Sequence, residues 1–126
     1  PEVAGVGLTL KAARERFGDG VNEIRVNFDD IDRSILDGRD EGFLKVVHDR
    51  KGRILGAAIV HEHAGEMISE LVVAMQNRIS LGKISAVIHP YPTAAEAIKR
   101  AGDAFRHTLL TPRTASFLKM LLKRRL

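Results

Sequence analysis

The chain has 126 residues, 44% of them hydrophobic, and a formal net charge of +4. That is the size of one domain with one modest core, and nothing in the composition points to disorder. Cysteine is absent, which excludes disulfides, thiolate nucleophiles and cysteine-based zinc or iron–sulfur sites.

With no tryptophan, one tyrosine and five phenylalanines, the core must rest on Leu, Ile, Val and Ala. No apolar run is long enough to span a bilayer and no signal peptide is visible, so a cytoplasmic setting is expected. The chain opens on Pro1 rather than Met, which points to processing or to excision from a longer chain.

Residues 3–7 form a short apolar run, read as a first strand. Leu10 to Phe17 then reads as a helix, with Thr9 as N-cap and Leu10, Ala13 and Phe17 on one face. Gly18 and Gly20 end it. Residues 21–28 alternate, with Ile24, Val26 and Phe28 to one side, and read as a strand. Residues 29–41 carry six acidic side chains around Ile31, Ile35 and Leu36, and read as an irregular loop with room for one helical turn. Two strands come next, 42–48 and 53–61, joined at Asp49-Arg50-Lys51-Gly52 by a hairpin turn.

Met67, Leu71, Ala74, Met75 and Ile79 recur at helical spacing, so residues 64–81 read as the longest helix, stopped by Gly82. Residues 84–88 are short and apolar. His89-Pro90-Tyr91-Pro92 cannot be helical in its interior, because proline lacks the N–H donor and restricts its predecessor. Thr93 is expected to cap a helix to about residue 107, with Glu96 at N3 as its capping-box partner. A last helix is expected after Pro112. Strands early and helices late predict an α+β fold, an antiparallel sheet packed against helices. No repeat or linker divides residues 1–126, so a single domain is expected.

The chemical motifs are few. Gly5-x-Gly7 lacks the third glycine of a dinucleotide fingerprint and reads as a tight strand-to-helix turn. His61 and His63, at spacing two on an extended segment, would point the same way, and Glu66 could join them around zinc. Ser34, Ser69, Ser80, Ser85 and Ser116 have no nucleophile-elbow setting. The tail carries Lys119, Lys123, Arg124 and Arg125 beside Phe117, Leu118, Leu121 and Leu122, a pattern also found in interfacial helices. The segment His89 to Glu96 is the most distinctive: two prolines hold the only tyrosine, whose phenol can donate a hydrogen bond or bind a ligand.

Four segments, in order along nearly the whole chain, resemble the C-terminal dimerisation domain of the pyridine nucleotide–disulfide oxidoreductases. They are Pro1-Glu2-Val3-Ala4-Gly5-Val6-Gly7-Leu8-Thr9, Gly42-Phe43-Leu44-Lys45, Ile54-Leu55-Gly56-Ala57 with Ala64-Gly65-Glu66-Met67-Ile68, and Tyr91-Pro92-Thr93-Ala94-Ala95-Glu96. The last resembles the family's His-Pro-Thr-x-x-Glu signature. The resemblance implies a homodimer whose FAD and NAD(P)H are bound by upstream domains of a parent protein, with no cofactor held by this domain alone. It implies that the signature segment reaches the partner's flavin and redox cysteine pair, where the His is the acid/base and the Glu orients it.

Here Tyr91 holds the place of that His, and His89 lies two residues earlier. A phenol titrates near 10 and is a poor base at neutral pH. Mercuric reductases also carry Tyr at this place, but they use a C-terminal cysteine pair that this chain lacks. A mercuric-reductase-like flavoprotein of unknown substrate is therefore the expectation. By the resemblance, Tyr91, Glu96 and His89 are the catalytic candidates, with His89 and Pro90 near the partner flavin. No metal, nucleic acid or membrane is expected as a partner, and the isolated domain is not expected to be active. Two rival readings are a metal- or ligand-binding module on His61, His63 and Glu66, and a surface adaptor using the basic C-terminal helix.

Overall fold

The computed structural model describes residues 1–110 and 112–125. Four strands, β1 (Glu2–Gly7), β2 (Asn22–Asn27), β3 (Phe43–His48) and β4 (Ile54–His61), pair antiparallel in the order β1-β4-β3-β2. Six helices accompany them: α1 (Leu10–Phe17), α2 (Asp32–Leu36), α3 (Ala64–Gln76), α4 (Leu81–Ser85), α5 (Glu96–Thr108) and α6 (Pro112–Arg125). The fold is α+β, as the order of strands and helices predicts.

Side-chain alternation decides the layers. Leu44 and Val46 of β3 and Ala57 and Ile59 of β4 point to one face, where Met67, Leu71 and Ala74 of α3 and Ile98, Ala101 and Phe105 of α5 cover them. Val47 and Leu55 point to the other face, where Ala13 of α1 and Val21 pack on them together with Leu8 and Leu10. The rest of that face is mixed: Val3, Phe43 and Val60 line a hollow with Glu23 and Lys45, the Arg25 guanidinium lies 4.1 Å from the Phe43 ring centre, and Lys45 stands 4.0 Å from Glu23. Leu71 is fully buried and Met75 packs against the core, so both belong to the sheet-facing side of α3.

Local signals explain most boundaries. Thr9 caps α1, its hydroxyl accepting from the N–H of Ala12. Gly7 has φ +70°, and a Cβ there would meet the Leu55 carbonyl oxygen at 2.4 Å, so the Gly5-x-Gly7 pair is the tight turn out of β1. In the hairpin the Asp49 carboxylate accepts from the N–H groups of Lys51 and Arg53, and Gly52 takes φ +83°.

Two expectations are corrected. The helix predicted over 64–81 is two helices. It ends at Gln76, where Arg78 adopts φ 54° and the N–H groups of Ile79 and Arg78 reach back to the carbonyls of Ala74 and Met75. This is a Schellman close with arginine at the place glycine usually holds, so the sequence carried no stop signal. Ser80 then caps α4, and Gly82 lies inside that helix rather than stopping one. Thr93 is not an N-cap: its hydroxyl donates to the Pro90 carbonyl at 2.7 Å, and α5 starts at Glu96 without a side-chain cap. In the acidic stretch, the helical turn for which the sequence left room is α2, preceded by a 3-10 turn at Phe28–Asp30.

α4 lies tightly on α5. A Cβ on Gly102 would meet the Leu81 carbonyl oxygen at 2.7 Å. Burial works to raise the Asp103 carboxyl, but hydrogen bonds from Ser85 and Lys99 outweigh it and hold it below its usual range. α6 takes part in none of the main packing interfaces, and Phe117, Met120 and Leu122 on it are more than half exposed. No described helix is long and apolar enough to cross a membrane.

Candidate functional site

The segment between α4 and α5 is fixed from within. The His89 side chain is only 4% exposed. Its Nδ1 faces the Val87 carbonyl at 2.9 Å, and its Nε2 lies 3.0 Å from both carboxylate oxygens of Glu70 on α3. The carbonyl and the carboxylate are acceptors only, and the ring nitrogens face one each. His89 thus ties the segment to α3. Pro90, Pro92 (after a cis peptide bond) and the Thr93–Pro90 hydrogen bond stiffen the chain between His89 and α5.

Tyr91 projects from this support, 66% exposed. Its hydroxyl donates to Oδ2 of Asp32, the first residue of α2, at 2.5 Å. That hydrogen bond pushes the phenol above its usual value. The Asp32 charge, partial burial and Glu96 act in the same direction, and Arg100 opposes them. Glu96 lies apart from this pair. Its Oε1 is 3.7 Å from Arg100, and its Oε2 is buried without a hydrogen-bond partner.

The histidine cluster is not a metal site. His61 is buried, while His63 and Glu66 are exposed. The His61 Nδ1 accepts from the backbone N–H of His63 at 3.1 Å, which leaves Nε2–H for the Ser34 hydroxyl, 3.3 Å away. The ring lies 4.3 Å, centre to centre, from Phe28. Burial lowers its proton affinity, and His63 adds to that. Among the described residues no group of three or more His, Cys, Asp or Glu is arranged to hold a metal ion. The metal-module reading is overturned: His61 is a neutral core residue that secures α2.

Two hollows flank the segment. One, of about 470 Å³, lies between α2, the end of β4 and Pro92 to Ala94. Its cations are already engaged, Arg33 with Asp37 at 2.8 Å and Arg39 with Glu62 at 2.9 Å. The other, of about 370 Å³, is walled by Val73, Ile79, Ile84 and Val87, with Glu70 and His89 at its edge. Val73 and Val87 are more than half exposed, and Ile88 beside them is 94% exposed.

Sequence reasoning singled out Tyr91, Glu96 and His89 but not the neighbours that the fold gives them. Asp32 lies 59 residues from Tyr91 and Glu70 lies 19 from His89. Neither pairing has a local signature; only the fold brings them together.

Comparison with known proteins fits this geometry. The family described as pyridine nucleotide-disulphide oxidoreductase, dimerisation domain, matches residues 1–102. The dihydrolipoyl dehydrogenase of Chlamydia muridarum is 36% identical over 97 residues, 76% of this chain and 21% of that protein. The mercuric reductase of Serratia marcescens is 30% identical over 106 residues, 83% of this chain and 23% of that protein. Among solved structures, LpdA of Mycobacterium tuberculosis superposes with a TM-score of 0.74 at 25% identity, over 88% of this chain and 23% of that one. The chain therefore spans less than a quarter of the length of these relatives. It belongs to the pyridine nucleotide-disulphide oxidoreductase family, as a dimerisation domain.

Proposed function

We propose that residues 1–126 are the C-terminal homodimerisation domain of an FAD- and NAD(P)H-dependent, mercuric-reductase-like flavoprotein. In this reading the segment Tyr91 to Glu96 completes the flavin and redox site of a second subunit. The observation that carries it is the outward Tyr91 ring on a segment locked to its own subunit by His89 and Glu70. A group meant for its own core would be buried there; this one is held and presented.

The residues present suit a place beside a flavin rather than a cradle for one. Tyr91 offers a hydroxyl oxygen and an aromatic face, Pro90 is exposed next to it, and His89 acts through the backbone that it fixes. When bound by the whole protein, FAD supplies the two-electron chemistry. This chain's part is to present the Tyr91 ring and hydroxyl and exclude water. The phenol is raised above its ordinary value, so it stays protonated at neutral pH and is no base; its one proton goes to Asp32, which leaves the hydroxyl oxygen to accept from a partner. Glu96 stands at the root of the segment.

The dimer face is the region left apolar and open. Val73, Val87 and Ile88 surround the hollow beside Glu70 and His89, next to the Tyr91 segment. Exposed apolar groups clustered around one hollow mark an interaction face, and a second copy of this chain is the occupant a dimerisation domain calls for.

Tyr91→Phe in the intact flavoprotein tests the reading. Turnover should fall about tenfold, the worth of one hydrogen bond in the transition state, while the dimer mass is unchanged. Wild-type turnover would contradict it. The surface-adaptor reading keeps one observation, the exposed apolar side of the basic helix α6. Its sign would be salt-sensitive binding to anionic vesicles, lost in Leu118→Glu.

A further inference from the structure

We propose that Asp32, on α2, is the positioning residue for the Tyr91 phenol, taking the orienting part that the family signature gives to the glutamate at Glu96. The inference rests on the reading of Tyr91 above and deepens it.

Three observations converge. First, the Tyr91 hydroxyl donates to Asp32 Oδ2, and a carboxylate can only accept, so the phenol proton is held on Tyr91 and aimed along one direction. Second, Glu96 makes no hydrogen bond to Tyr91, and its carboxylate turns to Arg100 on its own helix. A histidine would offer ring N–H groups to a glutamate. The phenol instead finds its acceptor on Asp32. Third, Asp32 is rigidly based. Two residues along α2, Ser34 is 2% exposed and bonded to buried His61, whose ring lies on Phe28. The acceptor therefore sits on an element tied to the core, and the donor sits on a segment tied to α3. Neither end is a free surface side chain.

The charged groups acting on the phenol are Asp32 of α2 and Glu96 and Arg100 of α5. Asp32 bonds directly to the hydroxyl; the other two act through space. Removing the Asp32 charge should therefore change the phenol far more than removing that of Glu96.

The composition supplies the probe. With a single tyrosine and no tryptophan, phenolate absorbance and tyrosine emission both report Tyr91 alone. The wild-type chain should form phenolate above the ordinary tyrosine range. Asp32→Asn should shift the transition down, and Glu96→Gln should shift it less. At neutral pH, where alkaline unfolding plays no part, emission should rise in Asp32→Asn, because a carboxylate bonded to the phenol quenches it. Circular dichroism confirms that each variant is folded. A folded Asp32→Asn chain with wild-type titration and emission would overturn the proposal, as would a larger shift in Glu96→Gln. None of these readouts depends on dimerisation or flavin. A monomeric chain would thus count against the interface reading and leave the Asp32–Tyr91 pair standing.

Discussion

Two aromatic side chains hydrogen-bond to the same short helix and meet opposite fates. His61 reaches α2 through Ser34 from inside the core, with every polar atom assigned and a phenylalanine across its face. Tyr91 reaches α2 through Asp32 from outside, with one hydrogen bond and most of its ring in solvent. Both are titratable, and both bond to residues of α2. The difference separates a side chain that serves the fold from one that, in the proposed function, serves a partner: His61 holds α2, and α2 in turn holds the Tyr91 hydroxyl.

The buried side of this comparison breaks hardest. Phe28→Ala should cost about 3–5 kcal/mol in a urea melt, because it opens a cavity against both His61 and the main core. A loss near zero would mean that the His61 side is not the structural one. Ser34→Ala should come next, at about 1–3 kcal/mol, since it leaves the His61 Nε2–H buried without an acceptor.

Stability should also depend on pH through His61. Burial holds its folded value below the ordinary 6.5, while the unfolded chain titrates near that value. Between the two, the unfolded chain binds the extra proton, so stability falls as the pH drops below 6.5. The urea midpoint should be lower at about pH 5.5 than at about pH 7.5, and the difference should shrink in His61→Gln. An undiminished difference in that variant would remove His61 as the cause. The smallest effect belongs to Tyr91→Phe, which should leave stability within about 0.5 kcal/mol of wild type. A larger loss would show Tyr91 to be part of the fold rather than a presented group.

The same contrast marks how much was legible in the sequence. The strands, the Asp49–Gly52 turn and the Thr9 cap were readable because each depends on neighbours within a few residues. The family signature placed Tyr91 and Glu96 because it, too, is contiguous. The break in the long helix was hidden, since Arg78 takes a backbone conformation that its side chain does not advertise. The start of α5 was misread, because Thr93 serves Pro90 instead of the helix. The partners of His89, Tyr91 and His61 were invisible for one reason: Glu70, Asp32 and Ser34 are ordinary polar residues until the fold closes 19, 59 and 27 residues of chain. His61 and His63 looked like ligands because alternation could not show that β4 ends at His61.

The central claim is that the face around Val73, Val87 and Ile88 closes on a second copy and so carries Tyr91 to its partner. Light scattering over a concentration series tests it most directly, on the wild-type chain and on Ile88→Glu. Ile88 is almost fully exposed, so the variant should fold as well as wild type. The account predicts a dimer that dissociates on dilution and a monomer at every concentration for Ile88→Glu. A wild-type dimer that Ile88→Glu leaves intact, or a wild-type chain monomeric even at high concentration, would contradict it.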